Sequence, residues 1–174
     1  MRKVVLSLSM ILIAASAFAA PSPVIVPGNT VRAQVAGSCL MPASFDLNFG
    51  AYDPIQTHFA ADLDGSTGWT IRCTKNLPVT VSFNDGVNST GALVRRMTNG
   101  TDFLGYQLYK NVGRTLVWGT GPAGGPAPGI TGTGFLFTAV GVAGNPLTVF
   151  GRVPQAQDVS VGNYIDTIIA TIEF

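Results

Sequence analysis

From Ala20 onward no stretch of the sequence sustains a 3.6-residue apolar period. The apolar residues instead alternate with polar ones, or gather in short β-branched runs bounded by Gly, Pro, Asn and Asp. Successive side chains of a strand point to opposite faces, so this pattern belongs to half-buried strands, and their number predicts an all-β sandwich or barrel. The clearest candidates are Thr67 to Thr74, Pro78 to Asn84, Phe103 to Lys110, Thr115 to Trp118, Leu147 to Val153 and Tyr164 to Phe174. Turns are signalled by Asp85-Gly86, Asn99-Gly100, Asn111-Val112-Gly113 and Gly144-Asn145-Pro146. The Gly- and Pro-rich segment from Gly119 to Gly134 reads as a surface loop.

The N-terminus sets the compartment. Arg2 and Lys3 precede the apolar run Val4 to Ile13, and Ala17 and Ala19 form a small-residue cleavage pattern, so residues 1–19 are expected to be a secretory signal. Its loss takes ten basic residues to eight against nine acidic, a formal net charge of −1. Without a basic stripe for phosphate, nucleic acid is not an expected partner. Charged residues are only 11% of the chain, against about 25% in ordinary soluble domains, so the protein either buries much of itself or meets partners through apolar surface. About 155 mature residues make one domain. Cys39 and Cys73 both lie in the exported part, where disulfides persist, and are expected to pair.

Two terminal segments stand out. Residues 20–38 are expected to form an extension that opens on Ala20-Pro21-Ser22-Pro23-Val24-Ile25-Val26-Pro27, whose three prolines cannot donate to a ladder. It continues into Thr30 to Ala36, where Val31, Ala33 and Val35 point one way and Arg32 and Gln34 the other. Such an arm can pair with an edge of its own sheet or with an edge of another molecule, and spacing alone does not choose. At the other end Ile168, Ala170, Ile172 and Phe174 can share one strand face, which would pack the last residue.

Catalysis has little to stand on. His58 is the sole histidine and reads as a solvated loop residue, so no triad or histidine metal cluster can be assembled. Asp62-Leu63-Asp64-Gly65-Ser66 starts like a calcium loop but lacks the third acidic position and the distant Glu, and an ordinary turn is the better reading. Trp69 and Trp118 are expected in the core rather than in a sugar site, and Arg95-Arg96 on a solvated edge. Neither an enzyme nor a cofactor is expected.

The order of several short motifs resembles the spore coat protein U domain family, the subunits of archaic chaperone-usher pili. They run from Gly37-Ser38-Cys39 and Leu47-Asn48-Phe49-Gly50-Ala51-Tyr52-Asp53-Pro54 through Trp69-Thr70-Ile71-Arg72-Cys73-Thr74 and Leu104-Gly105-Tyr106-Gln107-Leu108-Tyr109 to Thr148-Val149-Phe150-Gly151-Arg152-Val153-Pro154 and Gly162-Asn163-Tyr164-Ile165-Asp166-Thr167. The resemblance covers nearly the whole mature chain. It implies a domain over 39–174 with an immunoglobulin-like β-sandwich that lacks its last strand and is completed by a donor strand. A periplasmic pilus chaperone would fill the gap first, and at the outer-membrane usher the arm of the next copy or a related pilin would replace it, building a surface pilus for adhesion and biofilm. On that scheme Val31, Ala33 and Val35 are the expected donor residues, with Val24 and Val26 as an extension. Ile168, Ala170, Ile172 and Phe174 are the expected acceptor edge. The alternatives are a spore coat or surface-layer protein of the same fold, and a ligand-binding tip adhesin.

Overall fold

A computed structural model of the protein describes residues 25–41, 44–121 and 133–174. The expected signal segment, Val24, and most of the Gly- and Pro-rich loop lie outside the described residues. The chain divides into an N-terminal unit ending at Gln34 and a β-unit from Val35 to Phe174. In the first, residues 25–34 belong to no strand, and a turn at Pro27-Gly28 is closed by Asn29 Nδ2 donating to the Val26 carbonyl (3.0 Å). Gly28 takes φ +91°, a conformation that glycine adopts without a Cβ penalty, so the alternating arm restarts beyond it.

The β-unit holds nine strands and no α-helix among the described residues. In chain order they are β1 Cys39–Leu40, β2 Leu63–Cys73, β3 Pro78–Phe83, β4 Arg95–Thr98, β5 Phe103–Tyr109, β6 Trp118–Gly121, β7 Phe135–Thr138, β8 Asn145–Val153 and β9 Ala170–Glu173. One sheet has the order β1-β2-β8-β5-β4 and the other β7-β3-β9, every ladder antiparallel. Alternation decides which faces meet. Trp69, Ile71 and Cys73 of β2, Leu104, Tyr106 and Leu108 of β5, and Val149 and Val153 of β8 point inward against Val79, Val81 and Phe83 of β3. Aromatic rings join the layers, with Phe83 4.6 Å from Trp118 and Trp118 5.9 Å from Phe135, both edge-on. Both tryptophans are thus core residues.

Several expected elements shift. The strand expected at Thr115 begins at Trp118, because Asn111 Oδ1 accepts the N–H groups of Thr115 (3.1 Å) and Leu116 (2.9 Å) and holds 110–117 as a loop. Only Ala170–Glu173 of the expected C-terminal strand pairs with β3, since Asn84 Oδ1 takes the Ile169 N–H (2.7 Å) and interrupts the ladder. Arg95 is not on a solvated edge. It is 2% exposed at the start of β4, where its guanidinium donates to the carbonyls of Phe83, Asn84 and Trp118 and to Gln107 Oε1. A buried cation is tolerated when its donors are satisfied. His58 is likewise buried rather than solvated, because its ring stacks on Tyr52 at 5.0 Å and its Nδ1 accepts the Asp53 N–H at 2.8 Å. Asp62 and Asp64 pair with Arg152 (3.2 and 2.8 Å) and Asp64 also with Arg114 (3.1 Å), so side-chain cations answer both carboxylates.

Cys39 and Cys73 are bonded, as cross-strand partners of β1 and β2 with Cα atoms 4.1 Å apart. The link anchors the segment that follows the arm, together with Thr74, whose N–H donates to the Ser38 carbonyl (2.8 Å) and whose Oγ1 accepts the Ser38 N–H (3.0 Å). A bridge across 34 positions removes conformations from the unfolded chain and stabilises by about 3 to 4 kcal/mol on the chain-entropy model. Reduction should therefore lower the denaturant midpoint clearly. An unchanged midpoint with and without reductant would contradict that assignment.

Candidate functional site

Residues 44–50 carry the alternation Phe45, Leu47, Phe49 with Asp46 and Asn48 between them, and each of the three apolar side chains is half-buried. Among the described residues they pair with no strand, yet their side chains are seated. Phe45 lies edge-on between Trp69 (5.6 Å) and Phe83 (5.5 Å), spanning the two sheets. Leu47 and Phe49 rest on Gly65 and Gly151, cross-strand partners of β2 and β8. A Cβ on Gly151 would lie 2.6 Å from both Leu47 Cδ2 and Phe49 Cζ, and one on Gly65 3.1 Å from Phe49 Cδ1. The paired glycines therefore make a seat that a larger residue would fill.

The C-terminal segment forms a second row. Tyr164, Asp166, Ile168, Ala170 and Ile172 are half-buried, and Ile165, Thr167, Ile169 and Thr171 between them are exposed. Asp166 is held inward by the Tyr106 hydroxyl (2.7 Å) and by Asn88 Nδ2 (2.9 Å). Burial first, and then the bond to Asp166, push the Tyr106 pKa up, so the phenol stays a donor. On one side β9 pairs with β3; on the other it has no strand partner among the described residues.

The two rows share a floor. Phe45 touches Phe83, whose cross-strand partner is Ala170, while Phe49 lies 6.2 Å from Tyr106, whose hydroxyl binds Asp166. Rising numbers in the first row thus match falling numbers in the second, and the rows run antiparallel along one side of the sandwich. That side combines a free β9 edge, the unpaired backbone of 44–50, and two apolar rows left half-exposed. An extended segment with apolar side chains at every second position would satisfy all three.

The expected acceptor residues Ile168, Ala170 and Ile172 stand in the second row, whereas Phe174 is 61% exposed and lies beyond β9. Among the expected donor residues, Val31 is 98% and Val35 81% exposed, Ala33 is exposed, and none belongs to a strand. The first row was missed in the sequence, although the alternation from Phe45 to Phe49 was there to signal it. The glycine seat carried no such signal, because the two glycines meet only through strand pairing.

Residues 28–171 match the family model of the Spore Coat Protein U domain. Protein U of Myxococcus xanthus is 36% identical over 154 residues, covering 82% of this chain and 80% of that protein. Among solved structures, a chain from the chaperone–tip adhesion subunit pre-assembly complex of the archaic chaperone-usher Csu pili of Acinetobacter baumannii has a similar fold. It superposes with a TM-score of 0.51 at 22% identity over 80% of this chain and 40% of that one. The chain thus spans about two fifths of the solved chain it resembles.

Proposed function

Because the chain belongs to the Spore Coat Protein U domain family, we propose that it is a non-enzymatic subunit of a chaperone-usher type surface pilus, assembled by donor-strand exchange. The observation that carries this reading is the open side flanked by Phe45, Leu47 and Phe49 and by Ile168, Ala170 and Ile172. A periplasmic chaperone strand occupies it first. The arm of another copy, with Val31, Ala33 and Val35 inward, replaces that strand at an outer-membrane usher. Each buried valine contributes about 1.5 to 3 kcal/mol, and the free β9 edge adds a ladder of backbone bonds. The product is a fibre at the cell surface that serves adhesion and biofilm formation.

Left open, an apolar row beside an unpaired edge invites association. The exported chain expressed alone, with its arm intact, should polymerise or aggregate, and co-expression with its chaperone should yield a soluble one-to-one pair. Size-exclusion chromatography and electron microscopy distinguish the two states. A monomer that stays soluble without any partner would instead favour a coat protein that closes its own domain. That second reading draws on the 36% identity to Protein U along most of both chains.

A further inference from the structure

The strand β2 is eleven residues long, so the two ends of the β-unit lie about 33 Å apart at roughly 3.3 Å per residue. At the Leu63 end a short loop precedes β2 and is braced at every turn. Asp53 Oδ1 accepts the N–H groups of Ile55 (3.0 Å) and Gln56 (3.1 Å), His58 N–H donates to the Asp53 carbonyl (2.8 Å), and Ala156 N–H to the His58 carbonyl (2.8 Å). Yet this fixed loop holds Ile55 80% and Phe59 66% exposed. The registers of β2, β8 and β5 and the bonds of Gln157 and Ser160 put Asp53, Asp102 and Asp158 at the same end, and none is in an ion pair among the described residues. Backbone amides of Gln56 and Ile55 hold the Asp53 carboxyl below its ordinary range.

The opposite end mirrors this arrangement with the other charge. The turn from β7 to β8 is closed by Gly144 N–H donating to the Gly141 carbonyl (3.1 Å) and by Asn145 Oδ1 accepting the Val140 N–H (2.9 Å). It presents Val140 and Val142 to solvent beside Lys75, which packs against Gly141. Arg72 is near, and Glu173 is the acid at this end. The segment Val35 to Cys39 also leaves from here, tied to Thr74.

We propose that successive copies meet end to end as well as through the arm. The loop carrying Ile55 and Phe59 on one copy seats against Val140 and Val142 of the next, with Lys75 facing the unpaired carboxylates. This rests on the fibre reading above. Taken antiparallel to β9, as every ladder of the two sheets is, an arm bound in one copy leaves at that copy's Leu63 end and brings the Cys39 end of its own copy against it. Two different surfaces then meet, and such a heterologous contact repeats without closing. Rigid apolar anchors rimmed by opposite charges are what a specific contact needs.

Carbodiimide treatment of assembled fibres tests it, because this reagent joins a lysine to a carboxylate only where the two touch. The expected product is a cross-link from Lys75 to Asp53, Asp102 or Asp158, which the separation within one copy forbids. Fibres without any of these links would overturn the proposal. A double variant, Ile55→Ser with Phe59→Ser, should still assemble, but its persistence length by electron microscopy should fall severalfold. Parent-like stiffness would overturn it too, and so would capture of the subunit on apolar beads lost in this variant while stiffness is kept. Failure of the donor-strand reading looks different: fibres would then survive Val31→Asp.

Discussion

Replacing Val31 or Val35 by Asp is expected to abolish fibre assembly while leaving the subunit folded. Both side chains stand almost wholly in solvent in the single chain, at 98% and 81% exposure, so a carboxylate there removes no packing from its own subunit. Surface changes of this kind shift stability by about 0.5 kcal/mol or less. In the assembled state the same side chain would enter a row lined by Phe45, Leu47, Ile168 and Ile172, none of which offers a cation. Burying an unpartnered charge costs several kcal/mol, and the cost recurs at every junction. The chaperone-bound subunit should still form, since on the donor-strand proposal the chaperone and not the subunit's own arm occupies the open side. Arg32→Ala is the control and should polymerise like the parent. Electron microscopy and the ladder of oligomers on unboiled gels read the outcome. If the Asp variants assemble normally, the donor lies elsewhere in the arm, with Val24 to Val26 the next segment to test.

A second large effect is expected at Arg95. Truncation to Ala would leave the carbonyls of Phe83, Asn84 and Trp118 without their donor and open a cavity beside two of the largest core rings. An unsatisfied buried polar group costs about 1 to 3 kcal/mol, so a loss of roughly 3 to 5 kcal/mol is expected in urea unfolding followed by tryptophan fluorescence. Its neighbour is the comparison. Arg96 stacks 3.8 Å over the Phe103 ring and donates to the Asn88 carbonyl (2.8 Å), contacts nearer the surface, and Arg96→Ala should cost about 1 kcal/mol. Equal losses for the two would show that the buried network contributes nothing special. Because Phe83 also floors the open side, Arg95→Ala should weaken donor capture along with stability.

Local features were legible in the order of the residues. Alternation in Thr67 to Thr74, Pro78 to Asn84, Phe103 to Lys110 and Leu147 to Val153 assigned the strands, since a two-residue period belongs to half-buried strands. The expectation of Trp69 and Trp118 in the core rested on their place in strand candidates and on the family resemblance, and the pairing of Cys39 with Cys73 on an expected export and two cysteines; the structure has both. What each strand edge faces came from the pairing of remote segments. Neighbouring letters do not tell that Gly65 and Gly151 would meet to seat Leu47 and Phe49. Nor do they tell that three distant carbonyls would converge on Arg95, or that His58 would be roofed by Tyr52. Side-chain period is a property of a few consecutive residues, whereas burial of a charge and an edge without a partner are set by which remote segments pair.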